Sequence, residues 1–210
     1  MKLTVFGATG GIGREVVRQA LAAGHEVTAV VRDPARLTVT GDRLEVFRSD
    51  LADAETLRPA VAGRDAVLSG LGPRSRKDAG VVTPLTRTVL DAMRAEGVRR
   101  LLVVSASPVG APAPDDPLLD RAARRVISAV LRDVYADLAA MERLLAESGT
   151  DWTAVRPPRL TDGQPTGSYR TVVGGAPRGG RSIARADVAH AMLALVDDPA
   201  AVRQGVGVAD

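Results

Sequence analysis

Cysteine is absent from this 210-residue sequence. Its absence excludes disulfides, thiolate-held metal or iron–sulfur centres and a cysteine nucleophile. Histidine is nearly absent too, with His25 and His190 the only two. Catalytic zinc sites draw on several convergent His or carboxylate ligands, so no metal site is expected. His25 follows Gly24 and reads as a surface turn residue, and His190 lies in an Ala-rich helical stretch and reads as packing or solvent-facing. Aromatic residues make up 2%, so the core has to be built from Val, Leu and Ala, and stacking surfaces are scarce. No apolar run is long enough to span a bilayer. The apolar stretch after Lys2 is strand-length and runs into glycines, unlike the apolar region of a secretion signal. The expectation is a soluble cytoplasmic protein with no membrane partner.

What is present fits a globular protein of one domain: 45% hydrophobic and 25% charged residues over a length able to bury a sizeable core. The net charge is +3, and arginines alternate with acids, so no nucleic-acid footprint is expected. The richest segment comes first. A short apolar strand, Leu3–Phe6, runs into Gly7-Ala8-Thr9-Gly10-Gly11-Ile12-Gly13. In such a turn Gly7 lets the chain leave the strand sharply. Gly10 and Gly11 let backbone amides approach a pyrophosphate, and Gly13 lets the next helix pack closely on the sheet. Val16, Val17, Ala20 and Leu21 then recur at helical period, with Arg14, Glu15, Arg18 and Gln19 on the other face, and Gly24 ends the helix. A second strand, Val27–Val31, completes a β-α-β unit whose helix would aim its first amides at phosphates. Gly7, Thr9, Gly10, Gly11, Ile12 and Gly13 are therefore candidate cofactor contacts.

Strand-length apolar runs continue at Leu44–Phe47, Ala66–Ser69, Leu101–Val104 and Trp152–Val155, separated by helical stretches. Gly24, Gly63, Gly97 and Gly149 each fall just past a helical stretch, where a left-handed residue is needed. This regular alternation predicts an α/β fold, a doubly wound parallel sheet of Rossmann type over residues 1–210. Two irregular segments, about 106–117 and 157–183, leave the same sheet end and read as cap or substrate loops, the second a loop or short hairpin. Arg185-Ala186-Asp187-Val188 opens a last helix to Val196, and Val206–Val208 adds a short strand.

The end of the second strand reads Val31-Arg32-Asp33-Pro34-Ala35-Arg36. Asp33 before Pro34 is an N-cap followed by a first-turn proline, rather than a ribose-binding acid. Arg32 and Arg36 are then free for a 2′-phosphate, which favours NADP(H). Asp50 and Leu51, after the third strand, fall beside the adenine. Gly70, Leu71 and Gly72, after the fourth, fall beside the pyrophosphate or ribose.

The N-terminal glycine motif, Val31-Arg32-Asp33, Ser49-Asp50-Leu51, Ser148-Gly149, Val155-Arg156-Pro157-Pro158 and Gly163-Gln164-Pro165-Thr166-Gly167-Ser168-Tyr169 together resemble an atypical short-chain dehydrogenase/reductase. Nearly the whole chain is similar to the small NADPH-dependent flavin and biliverdin-IXβ reductases and their bacterial NAD(P)H-binding relatives. The resemblance implies NADP in an extended groove and a shallow substrate site over the nicotinamide, with Pro157 and Pro158 shaping the nicotinamide pocket. The chain also departs from the pattern. Tyr135 is followed by Ala139 where a Tyr-x-x-x-Lys pair would place its lysine, the residue that lowers the tyrosine pKa for acid catalysis. Ala106 stands at the serine position of the flavin and biliverdin reductases, between Ser105 and Ser107, and Arg159 stands at their histidine position.

Ser105, Ser107, Tyr135 and Arg159 are the candidate catalytic residues. Either serine would hold the nicotinamide amide or the substrate, and Arg159 would meet an anionic group. The expected activity is hydride transfer from NADPH to a flavin, quinone or polycyclic aromatic acceptor, a small planar molecule whose proton can come from water. Two alternatives stand beside it: an NmrA-like sensor that binds NADP without turnover, and an isomerase or dehydratase on the same fold. The sequence leaves monomer and dimer equally open.

Overall fold

In the computed structural model, residues 1–73, 75, 78–110 and 130–210 are described. The chain forms β1 (Lys2–Phe6), α1 (Gly11–Ala22), β2 (Glu26–Val31), β3 (Leu44–Arg48), α2 (Ala54–Val61), β4 (Ala66–Ser69), α3 (Val82–Ala95) and β5 (Arg100–Val104). It continues with α4 (Arg132–Glu147), β6 (Asp151–Arg156), β7 (Arg159–Thr161), β8 (Arg170–Val173), β9 (Ser182–Ala184), α5 (Arg185–Ala194) and β10 (Gln204–Ala209). The main sheet runs β3-β2-β1-β4-β5-β6-β10-β8, parallel except for β8, which pairs antiparallel with β10. This is the doubly wound architecture the alternation predicts. Each predicted strand lies inside an observed one.

Helices cover both faces of the sheet. On one, α1 packs against α5 over a core that includes Leu3, Val5, Val16, Val17, Ile183, Val188 and Met192. On the other, α2, α3 and α4 pack in series over Phe6, Leu57, Val67, Met93, Leu101, Met141 and Leu145. Central parallel strands lose water on both sides, and β4 is buried at every residue. Glycine supplies the αβ junctions: Gly24, Gly63, Gly97 and Gly149 have φ of 82°, 65°, 70° and 71°, the left-handed geometry expected of them.

Several joints come from distant residues. The N-terminal end of α3 has no side-chain cap of its own. Instead the buried Asp137 carboxylate, on α4, accepts from Val82 N at 2.9 Å and Thr83 N at 3.1 Å. At the C-terminal end of α5, Arg100 donates to the carbonyls of Val196 (2.7 Å) and Leu195 (2.5 Å) and also holds Asp151 O and Thr153 Oγ1. A cation on the last carbonyls of a helix is favourable, although burial lowers the pKa of this guanidinium.

The C-terminal third departs from expectation. The 157–183 segment is not merely a loop or hairpin, since it carries β7, β8 and β9. Strand β7 pairs parallel with β9 as a small second sheet, and β8 extends the main one. The last helix stops at Ala194 rather than Val196, and the last strand has six residues. Residues 111–117 of the other expected cap loop lie outside the described residues, while Ser107–Val109 forms a 3₁₀ turn.

Three glycine backbones meet where β1, α1 and β4 converge. A Cβ on Gly13 would sit 2.2 Å from Gly7 O and 2.6 Å from Gly7 C, whereas one on Gly97 would meet nothing within 4 Å. Gly13→Ala should therefore destabilise the protein by about 3 kcal/mol, the upper end of overpacking costs. Gly97→Ala should cost about 1 kcal/mol, from left-handed backbone strain alone. Urea unfolding of both variants checks the ranking, and equal losses would show that the three-glycine contact is not limiting.

Candidate functional site

The strand order reverses between β1 and β4, and in an open parallel sheet the crevice outside the carboxyl ends at that point is where ligands bind. Gly7 leaves β1 with φ 73°. Its Cβ would lie 2.7 Å from the Gly70 carbonyl carbon, and a Cβ on Gly70 would lie 2.9 Å from Gly13 N. These contacts tie the loop after β4 to the loop after β1. Gly10 N turns back to Gly7 O at 2.8 Å, and α1 begins immediately afterwards with no side-chain cap and no acid in its first turn. The amides of Gly11, Ile12 and Gly13 stand outside the helix's own ladder, since the first intrahelical donor is Arg14 N, to Gly10 O at 2.9 Å. Unpaired amides, the positive end of a helix dipole and two exposed glycines make a cradle suited to phosphate. Thr9 beside them is half-buried.

The other predicted cofactor residues lie along the same sheet edge. Asp33, after β2, accepts from Ala35 N at 3.1 Å and Pro34 opens a 3₁₀ turn, so the acid caps as its sequence context suggests. Arg32 and Arg36 flank it, both exposed. After β3, Ser49 Oγ accepts from Leu51 N (3.1 Å) and Asp50 accepts from Ala52 N (3.0 Å). Leu51 is buried with φ 66°, an uncommon backbone for a non-glycine residue. After β4, Leu71 is half-buried and Gly72 exposed.

Beyond β5 and β6 the structure joins the predicted Ser105 to Glu142 and Arg156, neither of which the sequence reading took as a site residue. Ser105 N donates to Val155 O at 2.7 Å and Ser107 N to Pro157 O at 2.8 Å, so the loop after β5 is laced to the loop after β6. The buried Ser105 hydroxyl donates to Glu142 Oε1 at 2.6 Å. Arg156 Nε reaches the same oxygen at 3.0 Å and its Nη2 pairs with Glu142 Oε2. The guanidinium lies against Gly205 of β10, where any side chain would overlap it. Glu142 lies seven residues after Tyr135 on α4, so the two share a helix face two turns apart. The signal for this network was an arginine ending an apolar strand before Pro157-Pro158, a charge that needs a buried partner. Tyr135 is half-buried against the α2–α3–α4 core, and Ala139 one turn on supplies no cation. Arg159 opens β7 and is exposed, Pro157 is buried, and Pro158 is half-buried.

The Gly163–Tyr169 stretch is held from below. Asp187, fully buried in the first turn of α5, accepts from Thr166 N (2.8 Å), Gly167 N (2.9 Å) and Thr166 Oγ1 (3.0 Å). Tyr169 Oη and His190 Nδ1 are 2.6 Å apart, and burial, reinforced by Asp187, raises the phenol pKa. His190 is thus solvent-facing but paired. His25 lies half-buried, 3.3 Å from the N-terminal amine. Among the described residues no group of His, Asp or Glu is arranged to hold a metal ion, and no helix is long and apolar enough to cross a membrane.

A family model described as NAD(P)H-binding matches residues 7–199. The (4-alkanoyl-5-oxo-2,5-dihydrofuran-3-yl)methyl phosphate reductase of Streptomyces griseus is 32% identical over 155 residues, 74% of this chain and 46% of that protein. The chain spans about half the length of the curated relatives it matches. A crystal structure of a protein from Burkholderia pseudomallei superposes with a TM-score of 0.83 at 28% identity, over the whole of both chains. The anaerobillin reductase of Escherichia coli O157:H7 shares the fold, with a TM-score of 0.79 at 24% identity over all of this chain and 97% of its own. With a glycine cradle at the switch point of a doubly wound sheet and a family match from Gly7 to Pro199, the chain belongs to the NAD(P)H-binding family.

Proposed function

We propose that the protein is an NADPH-dependent reductase that delivers hydride to a planar acceptor of the flavin, quinone or polycyclic aromatic class. The observation that carries this reading is the commitment of the Ser105 proton to Glu142, which Arg156 holds in place. A hydroxyl has one proton to give. Ser105 therefore offers only lone pairs to the groove, suited to accept from the nicotinamide carboxamide or a ribose hydroxyl and unsuited to polarise a substrate carbonyl. Ala139 also stands where the lysine of a Tyr-x-x-x-Lys pair would tune the Tyr135 phenol for acid catalysis. Bound NADPH would supply the hydride. An acceptor that takes its one proton from solvent then needs only orientation from the protein.

Orientation would come from the two edges of the groove. The Pro157–Pro158 step and the laced 105–110 loop shape the nicotinamide end, with the 157–183 segment acting as a cap over the carboxyl ends of the strands. Arg159, exposed at the head of β7, meets an anionic group of the acceptor. The Streptomyces relative is named for a substrate that carries a phosphate, in keeping with such a cation. The adenine end is read by Arg32 and Arg36, whose neighbouring Asp33 is spent as a cap.

An assay of NADPH oxidation across flavins, quinones and tetrapyrroles tests the reading. Turnover with at least one acceptor is expected, and tight NADPH binding with no oxidation by any of them would make the protein a cofactor-binding sensor instead. Within that assay Tyr135→Phe should keep most of the activity, whereas Arg159→Ala should mainly raise KM for anionic acceptors. A drop of about 10²-fold or more in kcat for Tyr135→Phe, the size of a lost general acid, would show that the tyrosine does act as one. For cofactor choice, Arg32→Ala should weaken NADPH binding by about 1.5–3 kcal/mol and leave NADH nearly unchanged, as expected for one charge-assisted hydrogen bond to a 2′-phosphate. Equal losses for both cofactors in calorimetric titrations would count against that placement.

A further inference from the structure

Arg185 places one cation at the start of two helices. It is the first residue of α5, so it faces the positive end of that helix's dipole, and its side chain also crosses the first turn of α1. A Cβ on Gly11 would lie 2.6 Å from Arg185 Cδ and 3.0 Å from its Nε, which places the stem of the guanidinium directly on the residue that opens α1. Two helix N-termini thus share one cation: the first turn of α5 carries Asp187, whose carboxylate is taken up by Thr166 and Gly167, and that of α1 carries no acid. That cation pairs with Asp162 Oδ1, 2.6 Å from Nη1. The Asp162 side chain is 92% exposed, and an ion pair so open to water is weak.

The packing keeps Arg185 in this position. Gln19 Nε2 donates to Ala186 O at 2.8 Å and fastens the start of α5 to α1. One residue further on, Asp187 holds Thr166 and Gly167, so the start of α5 is also the anchor of the 163–169 stretch. The guanidinium therefore links three features: the phosphate cradle at Gly11, the start of α5, and Asp162 at the root of the cap segment.

Resting on the reading that the groove takes NADPH, we propose that Arg185 clamps the dinucleotide pyrophosphate by exchanging Asp162 for phosphate. The exchange explains the placement of the charge. A pyrophosphate over the unpaired amides of Gly11, Ile12 and Gly13 would neutralise both helix ends and the guanidinium together, and would form charge-assisted hydrogen bonds stronger than the exposed pair it replaces. Asp162 then acts as an internal competitor that lowers cofactor affinity, and its release on binding connects cofactor occupancy to the cap segment.

Direct titration of NADPH and NADH into wild type, Arg185→Gln and Asp162→Asn tests the proposal without any acceptor present. Arg185→Gln should weaken both cofactors equally, by about tenfold or more, because the pyrophosphate is common to them. Asp162→Asn should tighten both, by up to about fivefold, the size of an exposed ion pair removed. Should Arg185→Gln fail to fold, Arg185→Lys decides in its place, with a loss smaller than tenfold but again equal for the two cofactors. Unchanged affinity on loss of the guanidinium overturns the proposal, and so does weaker binding by Asp162→Asn. A loss confined to NADPH overturns it as well, since Arg185 would then read the 2′-phosphate. Wild-type protein that binds neither dinucleotide would instead bring down the reading of the groove, and this proposal with it.

Discussion

The contact among Gly7, Gly13 and Gly70 is the constraint on which the rest of the molecule depends. Here the backbones of β1, α1 and the loop after β4 approach closely enough that a single methyl group on any of the three would overlap a neighbouring main chain. That approach sets the angle at which α1 leaves the sheet and fixes the two central strands as neighbours. It also leaves the first amides of α1 facing the crevice. A bulkier junction would push the helix off the sheet and move the cradle with it, so one packing requirement serves both the core and the site.

A second level of organisation holds α5 at both ends. Arg100 collects the carbonyls at its C-terminal end, while Gln19 and Asp187 secure its first turn. The helix lies beside α1, so anchoring it steadies the far wall of the cradle and carries the 163–169 stretch to the same sheet edge. The opposite side of the groove is held by Glu142, which joins Ser105 and Arg156 across three elements. Breaking that pair from either partner would leave a buried charge without compensation. The network thus fixes the direction of the Ser105 proton.

Features governed by neighbours in the chain were legible from the amino-acid order. The glycine turn after β1, the left-handed stops at Gly24, Gly63, Gly97 and Gly149, and the Asp33-Pro34 cap all follow from local backbone preferences, and the structure shows each in place. The alternation of apolar runs and helices likewise made the doubly wound sheet readable, since parallel strands need crossovers. Less legible was the 157–183 segment. Strand β8 is exposed along its whole length and has no apolar pattern of burial to announce it, and its membership of the main sheet rests on backbone pairing with β10, more than thirty residues later.

The sequence by itself determined the order and type of the elements outside the 157–183 segment and the glycine turn after β1, because composition and short-range geometry carry that information. Tertiary structure alone decided which charges meet. Glu142 and Arg156 are separated by fourteen residues, Glu142 and Ser105 by thirty-seven, and Gly11 and Arg185 by most of the chain. No periodicity in the sequence encodes such pairings. They follow from which strand ends the right-handed crossovers bring to one edge of the sheet, and from how closely the glycines there let the helices approach.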